Sequence, residues 1–540
     1  MIIRVLMYQK RYFISFSKLI IGLSIILLLS ACSQKKPQSP VHKEESVTQI
    51  PKGEASLLMH LKKTNTALAD KSAFYPLPQP TDAFAARLFL IDHATTSLNV
   101  QYYIYEDDTI GKVFAAHLLM AAQRGVKVRI LLDDLSTSGK DAEWEKLTLH
   151  PNIKLRLFNP NKLRTSFRNI ALLMDVNRLG RRMHNKALIA DGSAAIIGGR
   201  NIGDVYFASG TETLFVDYDI LTIGKIMPEI NEQFDIYWNS TEAVPSKEVF
   251  AYDDPKLRDI VKKDLDEELK DFRDTPVGKA INNANFNQKI AQNDLQLIVA
   301  KRTDFYYDHP TKVNTNENDN STHISSQISE DLKHIKDDLV IISPYFIPSD
   351  QMIQNLKMLR ERGVEVTILT NSLASTDVFL VYGGYKGYIK TLVEMGVNLY
   401  ELKPHSFRKF LRTKEWINKQ SLSLHTKLMI LDQDRLGIGS ANIDPRSDKL
   451  NTEILMIVNS KILAEDQRKK LKEVINKKNL YKLSWGQYPH DFEEDDIEYG
   501  PIWHTIEDDE KKIYYAPPHT GFWKKIGTDL SSLLPIKGYL

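Results

Sequence analysis

Apolar and polar positions follow two different periods along this chain, and the order of those periods repeats. Residues 83–93 carry apolar side chains at helical spacing, and 97–105 (Ser-Leu-Asn-Val-Gln-Tyr-Tyr-Ile-Tyr) read as a strand. Residues 111–124 return to the helical period and stop at Gly125, and further strands are expected at 126–133 and 153–158. The second half runs through the same order: a strand at 339–346, a helix at 352–362 stopped by Gly363, then strands at 364–370 and 396–402. The junction Arg-Gly-Val is identical at 124–126 and 362–364. Strand-helix-strand alternation predicts an α/β fold, and its return predicts two duplicated α/β/α domains. Each would hold a mixed, mostly parallel sheet flanked by helices.

After the third strand of each half comes one string of chemistry-bearing residues. The first copy is Met183-His184-Asn185-Lys186, then Asp191-Gly192, closing with Gly198-Gly199-Arg200-Asn201. The second is Leu424-His425-Thr426-Lys427, then Asp432, closing with Gly439-Ser440-Ala441-Asn442. In both, six residues separate the Asp from the small pair. Alternation along a strand places His184 and Lys186 on one face, and likewise His425 and Lys427. Asp191-Gly192 predicts a tight hairpin between 186–190 and 194–197, which carries Asn201 back toward His184. The small pairs permit close approach of backbone to a ligand.

Composition narrows the class. The formal charge of +2 on 540 residues argues against bulk electrostatic capture of nucleic acid. The one cysteine, Cys32, excludes an intramolecular disulfide and a cysteine-rich metal site. Arg4, Lys10, Arg11 and Lys18 precede an apolar stretch at 19–29 and then Ser30-Ala31-Cys32, which is a secretory signal pattern. It resembles a bacterial lipoprotein signal, in which Cys32 becomes the lipidated first residue; the alternative is an uncleaved membrane anchor. Residues 33–54 are polar and proline-bearing, a flexible tether. At the other end Phe522, Trp523, Ile526, Leu530, Leu533 and Leu534 share a helical face beside Lys524 and Lys525, suiting a membrane interface or docking on the protein core. The expected division is a signal peptide at 1–31, an anchor and tether at 32–74, a first half at 75–245, a helical connection at 246–290, a second half at 291–480 and a tail at 481–540.

The doubled His-x-Lys-x4-Asp with its Gly-Gly/Ser-x-Asn close resembles the phospholipase D superfamily, over nearly all of 83–460. It is similar in particular to bacterial cardiolipin synthases of the C type and to related phospholipase D-like lipoproteins. Supporting strings are Asn99-Val-Gln-Tyr-Tyr-Ile, Gly198-Gly-Arg-Asn-Ile-Gly-Asp204, Tyr400-Glu-Leu-Lys-Pro404 and Asn442-Ile-Asp-Pro-Arg-Ser447. The resemblance implies two phospholipase D-like domains with both motifs at one active site on a pseudo-twofold interface. His184 would attack phosphorus, giving a phosphohistidine, and His425 would protonate the leaving alcohol and deprotonate the next; the two roles can also be exchanged. Lys186, Lys427, Asn201 and Asn442 would hold phosphate oxygens, Asp191 and Asp432 would support the site electrostatically, and Glu453 would orient a histidine. The family works without metal or cofactor, so Asp217 and Asp219 read as structural rather than as metal ligands.

The resemblance also implies partners. Phosphatidylglycerol and phosphatidylethanolamine would be the substrates, with the membrane surface as a partner, no nucleic acid, and any small accessory protein unknown. The place would be the bacterial cell envelope, as an anchored lipoprotein on the periplasmic or other extracytoplasmic side. Phosphatidyl transfer to phosphatidylglycerol leads; hydrolysis to phosphatidic acid shares its first half-reaction, and a nuclease is a distant third. Around the motifs, Tyr102, Tyr103, Tyr345 and Phe346 suit either an entrance lining or the core, and Arg181-Arg182 either lipid headgroups or a solvated pair.

Overall fold

The computed structural model describes residues 45–53, 61, 70–137, 139–161, 176–210, 213–250, 257–315, 323–404, 420–475, 478–489, 499–521, 524–525 and 527–528. Ser46–Pro160 with Arg181–Leu540 make one body. Met1–Glu45 with Asn161–Gly180 make a second unit, whose described part includes a short helix at Val176–Leu179. The signal, Cys32, most of the tether and the apolar positions of the C-terminal face lie outside the described residues. No helix among the described residues is long and apolar enough to cross a membrane.

The first half builds on β1 (Ser72–Leu77), β2 (Ser97–Tyr102), β3 (Lys127–Asp133), β4 (Ile153–Phe158), β5 (Ala187–Ala190), β6 (Ala194–Gly198), β7 (Thr213–Val216), β8 (Asp219–Gly224), β9 (Ala243–Pro245) and β10 (Ile298–Val299). The second half has β11 (Arg302–Tyr307), β12 (Asp338–Ile342), β13 (Glu365–Asn371), β14 (Asn398–Leu402), β15 (Ser421–Leu424), β16 (Leu428–Leu431), β17 (Arg435–Gly439), β18 (Ile454–Asn459), β19 (Leu480–Gln487), β20 (Tyr499–Glu507) and β21 (Glu510–Tyr514). One sheet runs β10-β1-β8-β6-β5-β2-β3-β4-β9 and the other β11-β18-β17-β16-β12-β13-β14-β19-β20-β21. Helices α1 (Pro80–His93) and α2 (Thr109–Gln123) flank the first, and α3 (Asp350–Glu361) and α4 (Lys461–Val474) the second.

Both sheets are mixed, as the repeat predicts, but not mostly parallel. Only β2-β3-β4 and β12-β13-β14 pair in parallel, where helices make the crossovers; the other described neighbours in the two sheets are antiparallel. The reason is the motif itself. Asp191 and Gly192 adopt φ values of 51° and 60°, so the chain turns back at once and β6 lies antiparallel to β5. Asp432, at φ 53°, does the same between β16 and β17. The second half also extends past residue 480, since β19, β20 and β21 lengthen its sheet where a tail was expected. The end of the expected tether is fixed too: Thr48 donates to Asp235 and accepts from Asn99 and Arg129, and Ser97 Oγ donates to the Gln49 carbonyl at 2.6 Å.

One buried carboxyl in the second sheet has no basic partner at hydrogen-bond distance among the described residues. Glu401 of β14 accepts from Tyr382 Oη at 3.0 Å and from Trp503 Nε1 of β20 at 2.8 Å. Burial pushes it up to about 7 from an ordinary 4.5. A folded-state value above the unfolded one means stability present below about 4.5 and lost as pH rises through about 7. The span corresponds to about 3 kcal/mol. Glu401→Gln, which mimics the protonated acid, should therefore flatten the fall in Tm between pH 5 and 8 (roughly the window between the two values), measured by thermal unfolding across that range.

Candidate active site

Each histidine motif sits in an extended segment just before a strand, His184-Asn185-Lys186 ahead of β5 and His425-Thr426-Lys427 between β15 and β16. The residue before each histidine is clamped by the last residue of the parallel triad's central strand. Asp133, last in β3, accepts from Met183 N at 2.9 Å, and Asn371, last in β13, accepts from Leu424 N at 2.9 Å. Each segment then pairs with the other half. Met183 bridges Thr452 and His184 N donates to the Thr452 carbonyl at 2.8 Å. Reciprocally, β15 pairs with β7, and His425 N donates to the Val216 carbonyl at 2.8 Å.

This exchange delivers a carboxylate to each imidazole from across the interface. His184 Nδ1 lies 2.9 Å from both oxygens of Glu453, the residue after Thr452. His425 Nδ1 lies 2.6 Å from Asp217 Oδ2, the residue after Val216. A carboxylate accepts, so each Nδ1 carries the proton and each Nε2 is left with its lone pair. Lys427 Nζ also approaches His425 Nδ1 at 3.3 Å, but the carboxylate is nearer and the ammonium has the His425 carbonyl at 2.6 Å. Lys186 Nζ makes the matching bond to the His184 carbonyl at 2.5 Å.

The four motif side chains form one electrostatic unit. Burial holds His184 well below the ordinary imidazole value, and the charges of Lys186, Lys427 and His425 act in the same direction. Burial also lowers His425 and Lys427, and Lys186 strongly. Buried cations held low by desolvation are stabilised by an arriving anion, which is what a phosphate site requires. The carboxylates differ. Asp217 is held below the ordinary value despite burial, chiefly through His425, whereas burial raises Glu453 to about 6. Glu453 is also shared with Ser440 Oγ at 2.5 Å and Ser447 Oγ at 2.7 Å.

The other expected residues divide. Asn201 is buried nearby, its Oδ1 accepting from Ile104 N and its Nδ2 donating to Tyr206 Oη at 2.7 Å, so its amide is already engaged. Asn442 keeps a buried Oδ1 with no partner among the described residues. Asp191 and Asp432 are not part of the cluster. Asp191 accepts from the amides of Thr95, Thr96 and Ser97, and Asp432 from those of Lys336 and Asp337. Six residues of extended chain, a rise of roughly 20 Å, separate each Asp from its histidine. They lock the hairpin to the start of β2 and β12 instead of acting on substrate.

Several expectations about neighbours change as well. Asp217, expected to be structural, is instead the His425 partner; Asp219 is structural, bridging Arg87 at 2.9 Å and Arg200 at 3.0 Å. The small pairs make room for protein rather than ligand: a Cβ on Gly199 would stand 2.2 Å from Asp217 Oδ1. Arg181 and Arg182 are neither solvated nor at a headgroup surface, both being buried, Arg181 on the Lys312 and Thr315 carbonyls and Arg182 against Asp133. Tyr103 stands edge-on to His184 with ring centres 4.8 Å apart, and Lys186 Nζ lies 5.3 Å from its centroid. Tyr102 and Phe346 are core. The duplication held a signal for Asp217: it stands two residues before β8, the strand that pairs with β6, as Glu453 stands directly before β18, the strand that pairs with β17. Among the described residues no group of three His, Cys, Asp or Glu side chains is arranged to hold a metal.

Two like domains that exchange carboxylates onto paired histidines define the phospholipase D class of phosphodiester enzymes. A family described as "Cardiolipin synthase, PLD-like domain" matches residues 88–238 and 328–475, one segment in each half. Cardiolipin synthase C of Escherichia coli K12 is 35% identical over 471 residues, covering 86% of this chain and 96% of that protein. The major cardiolipin synthase ClsA of Bacillus subtilis 168 is 24% identical over 375 residues, 69% of this chain and 62% of that protein. A crystal structure of the phosphatidylserine synthase of Haemophilus influenzae Rd KW20 shares the fold with a TM-score of 0.52 at 13% identity, over 78% of this chain and 92% of that one. The chain belongs to the cardiolipin synthase family of phospholipase D-like proteins.

Glu453 must be ionised to hold the His184 Nδ1–H. Activity should therefore fall as pH drops through about 6 while the His184 imidazole stays neutral. Glu453→Gln and Asp217→Asn should each lower kcat on the order of 10²-fold, measured as headgroup release in mixed micelles from pH 5 to 8 (a range bracketing that titration).

Proposed function

We propose that this protein transfers a phosphatidyl group from phosphatidylethanolamine or phosphatidylglycerol to a glycerol hydroxyl of phosphatidylglycerol, forming cardiolipin. The observation that carries the reading is the pair of buried imidazoles, each held at Nδ1 by a carboxylate from the other half, beside two lysines. The name and coverage of the Escherichia coli relative support the same chemistry.

The asymmetry of the carboxylates supports the division of labour. His184 is the more firmly neutral imidazole, which suits attack on phosphorus. His425 faces the firmly ionised Asp217, so it is the better holder of a transient proton and the natural acid for the leaving alcohol. Asp217 and the arriving phosphodiester anion favour the imidazolium form of His425. In the first step the Nε2–P bond forms as the P–O bond to the headgroup breaks, and that imidazolium gives the leaving oxygen its Nε2 proton and becomes neutral. In the second an acceptor hydroxyl gives its proton to His425, while a new P–O bond forms and the P–N bond breaks. Lys186 and Lys427 neutralise the phosphate throughout. The signal pattern ending at Cys32 supports an anchored lipoprotein at the extracytoplasmic face of a bacterial envelope, where both lipids are within reach.

The full chain in mixed micelles of phosphatidylethanolamine and phosphatidylglycerol should yield cardiolipin by mass spectrometry, and His184→Ala and His425→Ala should each cut turnover on the order of 10³-fold. Phosphatidic acid as the sole product would replace the transferase with a hydrolase, and DNA cleavage with lipids untouched would replace both with a nuclease.

A further inference from the structure

One carboxylate at the lip of this site has the wrong sign for a phosphate pocket. Asp377 is exposed on the loop between β13 and the helix Phe379–Lys386, and it accepts from Tyr345 Oη at 2.8 Å. Tyr345 is fixed beside the second motif: Ser343 Oγ donates to its carbonyl at 2.6 Å and accepts from Ile443 N at 3.2 Å, the residue next to Asn442. The neighbouring Phe346 bridges Ile443. The loop is backed from the C-terminal segment, where Lys524 Nζ donates to the Thr376 carbonyl at 2.9 Å and Gly527 lies against the Phe379 ring. The negative charge reaches into the site, acting on Lys427 and on Tyr206, whose ring stands edge-on to His425 with centres 5.3 Å apart.

A carboxylate there repels phosphate oxygens and rewards a group that donates hydrogen bonds. It lies on the His425 side, where an alcohol must sit to exchange its proton with that imidazole. Tyr345 spends its own proton on Asp377, so the pair together presents only acceptors, the second Asp377 oxygen and the phenol oxygen. An acceptor alcohol with one hydroxyl has nothing to offer them once that hydroxyl attacks. A glycerol headgroup has a spare neighbouring hydroxyl.

We propose that Asp377 and Tyr345 form the acceptor subsite, taking the spare hydroxyl of a vicinal diol while its neighbour attacks the phosphorus. This rests on the transferase reading and names its acceptor class. The diol can belong to phosphatidylglycerol or to free glycerol, and it makes the pair a determinant of transfer against hydrolysis. The attacking hydroxyl forms the P–O bond, the P–N bond to His184 breaks, and the proton passes to His425; the spare hydroxyl only donates to Asp377.

The test is a partition experiment on the full chain in phosphatidylethanolamine micelles, with methanol competing against free glycerol in one arm and against phosphatidylglycerol in the other. Asp377→Asn and Tyr345→Phe should lower the ratio of diol product to phosphatidylmethanol about tenfold, the worth of one hydrogen bond to a charged group. Asp377→Glu should recover most of it. A fall in both arms supports the diol subsite; a fall in one arm supports it and identifies the source. An unchanged ratio in both arms overturns the assignment, as does a raised KM for phosphatidylethanolamine with the ratio unchanged, which would make the carboxylate a reader of the donor's ammonium. Failure of the transferase reading looks different: given glycerol or phosphatidylglycerol and no methanol, the unsubstituted protein would then make phosphatidic acid and no diol product.

Discussion

The reciprocal pairing of Glu453 with His184 and of Asp217 with His425 is the contact on which the site depends. Neither half holds a complete catalytic histidine, because each lacks the carboxylate that fixes its Nδ1 tautomer. The backbone enforces the exchange. Paired segments at Met183–Thr452 and Leu424–Val216 cross the interface one residue before each carboxylate, so the side chains arrive in register. Separating the halves would disarm both imidazoles at once, which is a physical reason for a duplicated domain to remain fused.

The electrostatic cost of such a site is large, since two lysines and two histidines share a buried volume with two carboxylates. Desolvation lowers the cations and raises Glu453, leaving the cluster short of the charge state it would have in water. A phosphodiester anion relieves that tension, so binding and electrostatic stabilisation of the reacting phosphorus draw on the same burial. Asp191 and Asp432 contribute at a distance. By capping the amides that open β2 and β12 they hold the hairpins that carry the motif strands.

The two halves are equivalent in fold and unequal in detail. Asp133, pushed up to about 6 by burial, clamps the first motif where neutral Asn371 clamps the second. Glycine at 199 gives way to serine at 440, and that hydroxyl is spent on Glu453. Tyr345 and Asp377 belong to the second half. These differences give two chemically similar imidazoles different environments, one kept neutral and one facing a firmly ionised partner, which a reaction needing both a nucleophile and an acid requires.

Much of this was legible in the chain. Matched spacing marked His184, Lys186, His425 and Lys427, and the Asp191-Gly192 turn marked the hairpin, because strand period and positive φ are local properties written in neighbouring residues. The repeat also marked two like domains. What the chain alone left undetermined were relations across the interface. Asp217 looks like any strand carboxylate, and Asp191 looks like part of a catalytic triplet, until pairing places the first on an imidazole and the second on three backbone amides. The antiparallel majority of the sheets, the burial of Arg181 and Arg182 and the anchoring of Thr48 are of the same kind. Each depends on which distant segment a residue meets, and only the tertiary structure, by packing the halves against each other, makes those meetings.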